Sequence, residues 1–348
     1  MPVTVIVGGQ YGSEGKGKVA HWLAREQSAS VAVRTGGPNA GHTVIDDREY
    51  PLVLRQLPTA AILPDATCVL GAGSYIDTDL LLAEISKTGL GADRLHIDPN
   101  ASVISEDDKK REREGTLRAS IGSTQSGTGA AVIRRIERQK ATNLAGNDDR
   151  LAAYVRPVTE FLRSQLSRGK RVILEGTQGF GLSVLHSPHY PFVTSRDTTA
   201  SAFVSEVGLS PLDVDEVVVV LRAFPIRVAG NSGTLPNEID WRTISRESGS
   251  LSPVIEYTSV TQKIRRVARF DPGVVRAAIS VNRPTHIVLN HIDYVDMDCK
   301  RLNLLSEKAS NFVETVEVSI GARIDYFGFG PASLTTRASF HWKTHAVA

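Results

Sequence analysis

Gly8-Gly9-Gln10-Tyr11-Gly12-Ser13-Glu14-Gly15-Lys16-Gly17-Lys18 follows the apolar run Val3 to Val7 and opens an apolar-periodic segment that passes through Trp22 and Leu23. Strand, glycine loop and helix in that order make a phosphate-binding arrangement. Glycines let backbone N–H groups turn toward an anion, the helix N-terminus adds partial positive charge, and a lysine reaches the outer phosphates. Counted from Gly12, the spacing fits G-x-x-x-x-G-K, with Val19 where a Ser or Thr normally meets magnesium. The loop therefore has a nucleotide-binding shape and lacks one metal ligand.

Further along, Ser30 to Val33 reads as a second strand, ending at a second glycine-rich loop, Arg34-Thr35-Gly36-Gly37-Pro38-Asn39-Ala40-Gly41-His42-Thr43. An amide, a histidine and a hydroxyl at a strand end sit where open α/β sheets bind ligands. Strands are also expected at Thr67 to Leu70, Leu95 to Ile97, Arg171 to Leu174, Val217 to Leu221 and Thr285 to Leu289, the last of the series. Val217 to Leu221, apolar and β-branched throughout, is predicted to be a central parallel strand. Helices are expected from Asp79 to Lys87, capped by Asp77 or Thr78 and stopped at Gly89, after Asp197-Thr198-Thr199, and after Asp271-Pro272. Leu151, Tyr154, Val155, Val158, Phe161, Leu162 and Leu166 recur at helical spacing and predict one amphipathic helix over Asp148 to Ser167, despite Pro157.

Ser105 to Arg118 is densely charged and reads as a solvated helix or mobile loop. The third cluster, Gly122-Ser123-Thr124-Gln125-Ser126-Gly127-Thr128-Gly129, reads either as a ligand loop or as a flexible linker, leading into a helical stretch with Arg134, Arg135 and Arg138. Strands alternating with helices predict an α/β fold: a mostly parallel, doubly wound sheet with a P-loop-like phosphate site and inserted loops at its carboxyl edge. All 348 residues are read as a single large domain, with residues 332–348 a tail that closes the surface.

Forty Lys and Arg against 38 Asp and Glu give no polyanion-binding surface by charge alone. Lys263, Arg265, Arg266 and Arg269 crowd one short span without interleaved aromatics, which fits a solvated face or an anion site inside an enzyme better than a nucleic-acid patch. Cys68 and Cys299 are the only cysteines, so neither a disulfide framework nor a cysteine zinc site is expected. No apolar run reaches the ~18 residues of a membrane span, and no basic lead precedes the first strand, so a cytoplasmic location is expected.

These loops together resemble the adenylosuccinate synthetases over residues 3 to 331. The resemblance rests on Gln10-Tyr11-Gly12 through Lys18, Gly36-Gly37 through Thr43, Gly122-Ser123-Thr124, Glu175-Gly176-Thr177-Gln178-Gly179, Tyr190 through Ser195, Arg227-Val228, Arg265-Arg266, His291-Ile292-Asp293 and Gly330-Pro331. That family joins L-aspartate to the purine 6-position. A base takes the proton beside the 6-oxo group, the oxyanion attacks the γ-phosphate with help from a histidine, and the aspartate amine displaces phosphate.

The resemblance implies a role for each matched residue. Lys16 and Lys18 contact the triphosphate, with Lys16, His42, Gln178 and position 13 forming the catalytic set. Gly12, Glu14, Gly15, Gly17, Gly41, Thr43, Arg265, Asn290, Asp293 and Gly330 bind the nucleoside triphosphate, Asp293 at its base, and the Gly41 carbonyl holds magnesium together with position 13. Asn39, Ala40, Ser123, Thr124, Gln178, Thr194 and Lys263 bind the purine nucleotide, joined by Arg138 from a second subunit of a homodimer. Thr261 and Arg265 hold aspartate, whose carboxylates suit guanidinium forks.

Three positions depart from the family pattern. Lys263 stands for an arginine, His291 for a lysine, and Ser13 for the aspartate that serves as base and metal ligand. Serine has neither the basicity nor the donor strength of a carboxylate. It is smaller, and leaves room beside the purine 2-position for an amino group. That matches the viral branch of the family, which makes N6-succino-2-amino-deoxyadenylate from dGMP, with ATP the favoured donor and GTP the other possibility. The alternatives are an ordinary synthetase acting on IMP with GTP and a non-catalytic nucleotide-binding regulator.

Overall fold

In the computed structural model, which describes residues 2–46, 48–138, 143–258 and 262–339, one large sheet carries the molecule. Its strands in chain order are β1 (Val3–Gly8), β2 (Val31–Arg34), β3 (Thr67–Leu70), β4 (Leu95–Ile97), β5 (Val172–Glu175), β6 (Val214–Arg222), β7 (His286–Asn290), β8 (Tyr326–Phe329) and β9 (Ser333–Thr336). Across the sheet they run β9-β8-β7-β6-β1-β5-β2-β3-β4. All neighbours pair parallel except β8 and β9.

Helices cover both faces because alternate residues of the inner strands are apolar on both sides. Val3, Val5 and Val7 of β1 pack with Leu162, Phe203, Val275 and Val313, which belong to the helices Val158–Ser167, Ala200–Glu206, Pro272–Asn282 and Glu307–Ile320. Ile6 of the same strand packs on the opposite face with Val19, Ala20 and Leu23 of the helix Lys16–Glu26. After β1 the chain builds β2, β3 and β4 to one side and later β6, β7 and β8 to the other. The switch point therefore lies at the carboxyl end of β1, where a doubly wound sheet opens a crevice for ligands.

The cap signals read from the sequence are present. The Asp77 carboxylate accepts from the Leu80 N–H at 3.3 Å, and Gly89 ends that helix at φ 66°. Asp271 caps the helix that starts at Pro272. Three expectations are corrected. The single helix over Asp148 to Ser167 is a 3-10 turn, Asp149–Leu151, followed by a helix starting at Val158, with Pro157 as its extended N-cap; proline cannot donate inside a helix. β7 is not the last strand, since β8 and β9 follow it, and β9 occupies part of the stretch expected to be a tail.

The third correction concerns the charged segment, which is a helix, Glu106–Glu114, with two buried carboxylates. Asp108 completes a capping box with Ser105 and takes the Arg134 guanidinium at 2.6 Å. Glu112 accepts the N–H groups of Gly127 at 2.8 Å, Gly129 at 2.7 Å and Ala130 at 3.2 Å, so the third glycine cluster is an anchored loop and not a linker. Removing one partner of a buried ion pair strands the other. Asp108→Ala is expected to lower the unfolding free energy by about 3 kcal/mol in a denaturant titration. A loss below about 1 kcal/mol would show the pair to be solvated after all.

Candidate nucleotide site

Five strands of the sheet deliver their carboxyl ends to one place. β1 leads into the phosphate loop, β2 ends at Arg34, β5 at Glu175, β6 at Arg222 and β7 at Asn290. All four terminal side chains are buried. A charged or amide residue closing an apolar strand is tolerable only where other polar groups meet it.

The phosphate loop is wound around Glu14, which is fully buried. One oxygen of its carboxylate accepts the N–H groups of Gly12 at 2.7 Å and Gln10 at 3.2 Å, and the other takes the Lys16 ammonium at 2.7 Å. Gly15 is required twice over, by its φ of 92° and because a Cβ there would lie 2.7 Å from the Asn290 amide nitrogen. That amide donates to the Glu14 carbonyl at 2.8 Å. Ser13 sits between these anchors at φ 57°, with its side chain exposed.

His42 begins the hairpin His42–Ile45 and Pro51–Leu54 and packs directly on the phosphate helix; a Cβ on Gly17 would meet the His42 Cβ at 2.8 Å. Its Nδ1 makes a short contact with Glu175. The other Glu175 oxygen accepts from the Thr59 N–H and hydroxyl, both at 2.8 Å, and Arg34 lies 3.5 Å from the first. A carboxylate only accepts, so Nδ1 carries the proton and Nε2 is the nitrogen left for the cavity. Burial and the Arg34 guanidinium push His42 down to about 4, against the upward pull of Glu175. Burial works to raise Glu175, and His42 and Arg34 outweigh it, so the carboxyl stays ionised.

A cavity of about 470 Å³ opens above these groups. It is lined by Gly12, Ser13, Lys16, Asn39, Ala40, Gly41, His42, Ser123, Thr124, Gln178, Thr194, Lys263 and Arg265. The volume suits a nucleotide-sized ligand. A second group of expected residues gathers around Lys18, outside that lining. Its ammonium donates to the carbonyls of Gly330 at 3.1 Å and Ser333 at 3.3 Å. Asp293, Asn290 and His291 stand beside it, each with a buried polar atom lacking a hydrogen-bond partner among the described residues. Thr43 and Arg138 are exposed and do not line the cavity; Thr261 lies outside the described residues.

Burial holds Lys18 down at about 8, with Asp293 opposing. Its folded value thus lies below that of a free lysine, and between the two the unfolded chain binds more protons. Stability should therefore rise with pH from about 8 to about 10.5 relative to Lys18→Met, which carries no charge. Paired denaturant titrations across that range check this, and parallel curves would contradict it.

Residue roles missed by sequence reasoning include Arg222, Glu256 and Arg227. Arg222 reaches the Ser13 carbonyl at 3.0 Å and Glu256 at 2.5 Å. Burial works to raise the Glu256 carboxyl, but the Arg222 guanidinium and its neighbours hold it at about 2. Arg227, at the cavity wall, lies over the Tyr11 ring at 4.6 Å.

The adenylosuccinate synthetase family model matches residues 5–146 and 136–298. The adenylosuccinate synthetase of Methanocaldococcus jannaschii is 38% identical over 336 residues, 94% of each chain. That of Thermococcus onnurineus is 36% identical over 339 residues, covering 95% of this chain and 96% of the relative. Among solved structures, the succinoaminodeoxyadenylate synthetase of cyanophage S-2L, bound to dGMP and to dATP as an energy donor, superposes with a TM-score of 0.82 at 32% identity over 96% of this chain and 95% of that one. Fully ligated adenylosuccinate synthetase from Plasmodium falciparum gives 0.85 at 20% identity over 97% of this chain and 100% of that one, a likeness of fold. With the phosphate loop, the His42–Glu175 pair and the cavity in place, the chain belongs to the adenylosuccinate synthetase family, carbon–nitrogen ligases that use a nucleoside triphosphate.

Proposed function

We propose that this protein joins L-aspartate to the 6-position of dGMP with hydrolysis of a nucleoside triphosphate, ATP by preference, through a 6-phosphoryl intermediate, giving N6-succino-2-amino-deoxyadenylate. Ser13 carries the proposal. It is a short uncharged side chain at the cavity, where the family pattern has a carboxylate. The neighbouring Glu14 does not stand in for it, since both its oxygens are committed to Gly12, Gln10 and Lys16. The cyanophage S-2L synthetase, with dGMP bound, supports the same acceptor.

In this assignment His42 is the acid at the 6-oxygen: Nε2 takes a proton from solvent as charge develops there and donates that N–H to the oxygen, with Glu175 stabilising the imidazolium. Lys16, still paired with Glu14, offers its remaining N–H donors to the transferring phosphoryl group, Lys18, Asn290 and Gly330 hold the rest of the triphosphate, and Asp293 reads its base. Asn39, Ser123, Thr124 and Thr194 receive the 5′-phosphate, Gln178 and Lys263 flank the nucleoside, and Arg265 takes an aspartate carboxylate. Arg138, exposed on one chain, would serve the nucleotide of a partner chain in a homodimer.

Magnesium fits this set. No cluster of three or more metal-binding side chains occurs among the described residues. The Gly41 carbonyl and the Ser13 hydroxyl are hard oxygen donors at the cavity, suited to an ion that keeps waters and takes most of its ligands from phosphates. Bound there, the ion would neutralise charge on the phosphoryl oxygens.

Phosphate release from IMP, GMP and dGMP, each with ATP or GTP, with and without aspartate, tests the assignment. Aspartate-dependent release with dGMP and little with IMP is expected; the opposite preference would overturn it. The archaeal relatives at 36–38% identity favour the IMP and GTP reading, which that second outcome would establish.

A further inference from the structure

Arg222 is the last residue of β6 and is completely buried. It is fastened to the start of the phosphate loop by a reciprocal pair of bonds: its N–H donates to the Gln10 side-chain oxygen at 2.9 Å, and the Gln10 amide donates back to the Arg222 carbonyl at 3.2 Å. Its guanidinium donates to the Ser13 carbonyl at 3.0 Å, fixing a residue in the left-handed region. The same guanidinium is neutralised by Glu256, at 2.5 Å and 3.3 Å to its two oxygens.

Glu256 opens the segment that carries Lys263 and Arg265. Its backbone carbonyl accepts from the Arg265 N–H at 2.9 Å, Tyr257 and Ile264 form an antiparallel bridge, and Thr258 donates to the Lys263 carbonyl at 2.8 Å. Its carboxylate also lies 3.5 Å from the Arg265 guanidinium, whose Nε donates to the Tyr257 carbonyl at 3.0 Å. One carboxylate thus touches two guanidinium groups that face different halves of the site. One half is the Ser13 backbone; the other is the arginine proposed for the amino acid.

We propose that Glu256 is a positioning residue for the amino-acid substrate: by bridging Arg222 and Arg265 it fixes the amino-acid arginine at a set place relative to the phosphate loop. It rests on the assignment of Arg265 to aspartate made above. An arginine fork recognises a carboxylate only in register, and misplacement of about 1 Å costs about 10²-fold in rate. Glu256→Gln keeps the size and shape of the side chain and removes the charge that aligns both guanidiniums.

The test is steady-state kinetics with dGMP and ATP saturating and aspartate varied. In Glu256→Gln, kcat/KM for aspartate should fall about 10²-fold, chiefly through KM, while the Kd of dGMP alone by calorimetry stays within about twofold. The single change strands a buried guanidinium and can weaken the fold. The double variant Arg222→Met with Glu256→Leu replaces the pair by apolar groups of similar volume, an exchange that preserves stability elsewhere. It should melt within a few degrees of the wild type and still show the loss for aspartate.

An unchanged or lowered KM for aspartate in Glu256→Gln, or recovery of full activity in the stable double variant, would overturn the inference and leave the proposed reaction standing. Wild-type protein without aspartate-dependent turnover in any nucleotide combination would overturn the proposed reaction, and Glu256's role with it.

Discussion

His42→Asn is expected to lower kcat by about 10³-fold, with the Kd of dGMP changed less than about threefold. The asymmetry follows from where the ring sits. Nδ1 is tied to Glu175 and Nε2 faces the cavity, so the imidazole has little to offer the bound ground state. Its value appears as negative charge grows on the purine oxygen, when Nε2 takes up a proton from solvent, donates that N–H to the oxygen, and Glu175 supports the resulting imidazolium. Burial and Arg34 keep the ring neutral, its value near 4. Charge from the substrate must therefore pull the proton on. Glu175→Gln, which keeps the contact and loses that support, is expected to cost about 10²-fold in kcat. Rapid-quench and steady-state measurements read both, and near-wild-type turnover in His42→Asn would place the chemistry elsewhere.

Ser13→Asp is expected to move the acceptor preference from dGMP toward IMP, with kcat/KM for dGMP falling and that for IMP rising until their ratio shifts by about 10²-fold or more. A carboxylate at 13 would fill the room beside the purine 2-position and restore a base of useful pKa. The backbone should accept it. Arg222 holds only the Ser13 carbonyl, and aspartate tolerates the left-handed region better than most residues, so the φ of 57° is kept. An unaltered melting temperature is part of the expected result. Continued preference for dGMP by a folded Ser13→Asp protein would show that position 13 does not discriminate.

Much of the frame was legible because its signals are local. The Asp77 and Gly89 caps, Asp271-Pro272 and the valine run of β6 each act within a few residues. β8 and β9 were not legible because YFGF is interrupted by a glycine and SLTT carries one large apolar residue, so neither shows the β-branched run that marks β2 or β6. Pro157 overruled a helical period that continued on both sides of it. Asp108 and Glu112 read as solvated because their partners, Arg134 and the amides of the Gly127–Ala130 turn, lie far along the sequence.

The candidate site shows the same division. The glycine loops announced themselves, whereas the pairings of His42 with Glu175 and of Arg222 with Glu256 did not. A usable sign was present nonetheless. VAVR, VILE, VVVVLR and HIVLN each end an apolar strand in a charged or amide residue, and all four of those residues, Arg34, Glu175, Arg222 and Asn290, are buried at the carboxyl edge.

Lys18 takes its two acceptors from Gly330 and Ser333, separated from it by 312 and 315 residues. During synthesis the lysine emerges long before either acceptor. A nascent chain that has not yet passed β8 leaves that ammonium without either carbonyl. The folded setting of that ammonium is thereby withheld until β9 has been made, so a residue of the phosphate loop reports on the arrival of a strand at the far edge of the sheet.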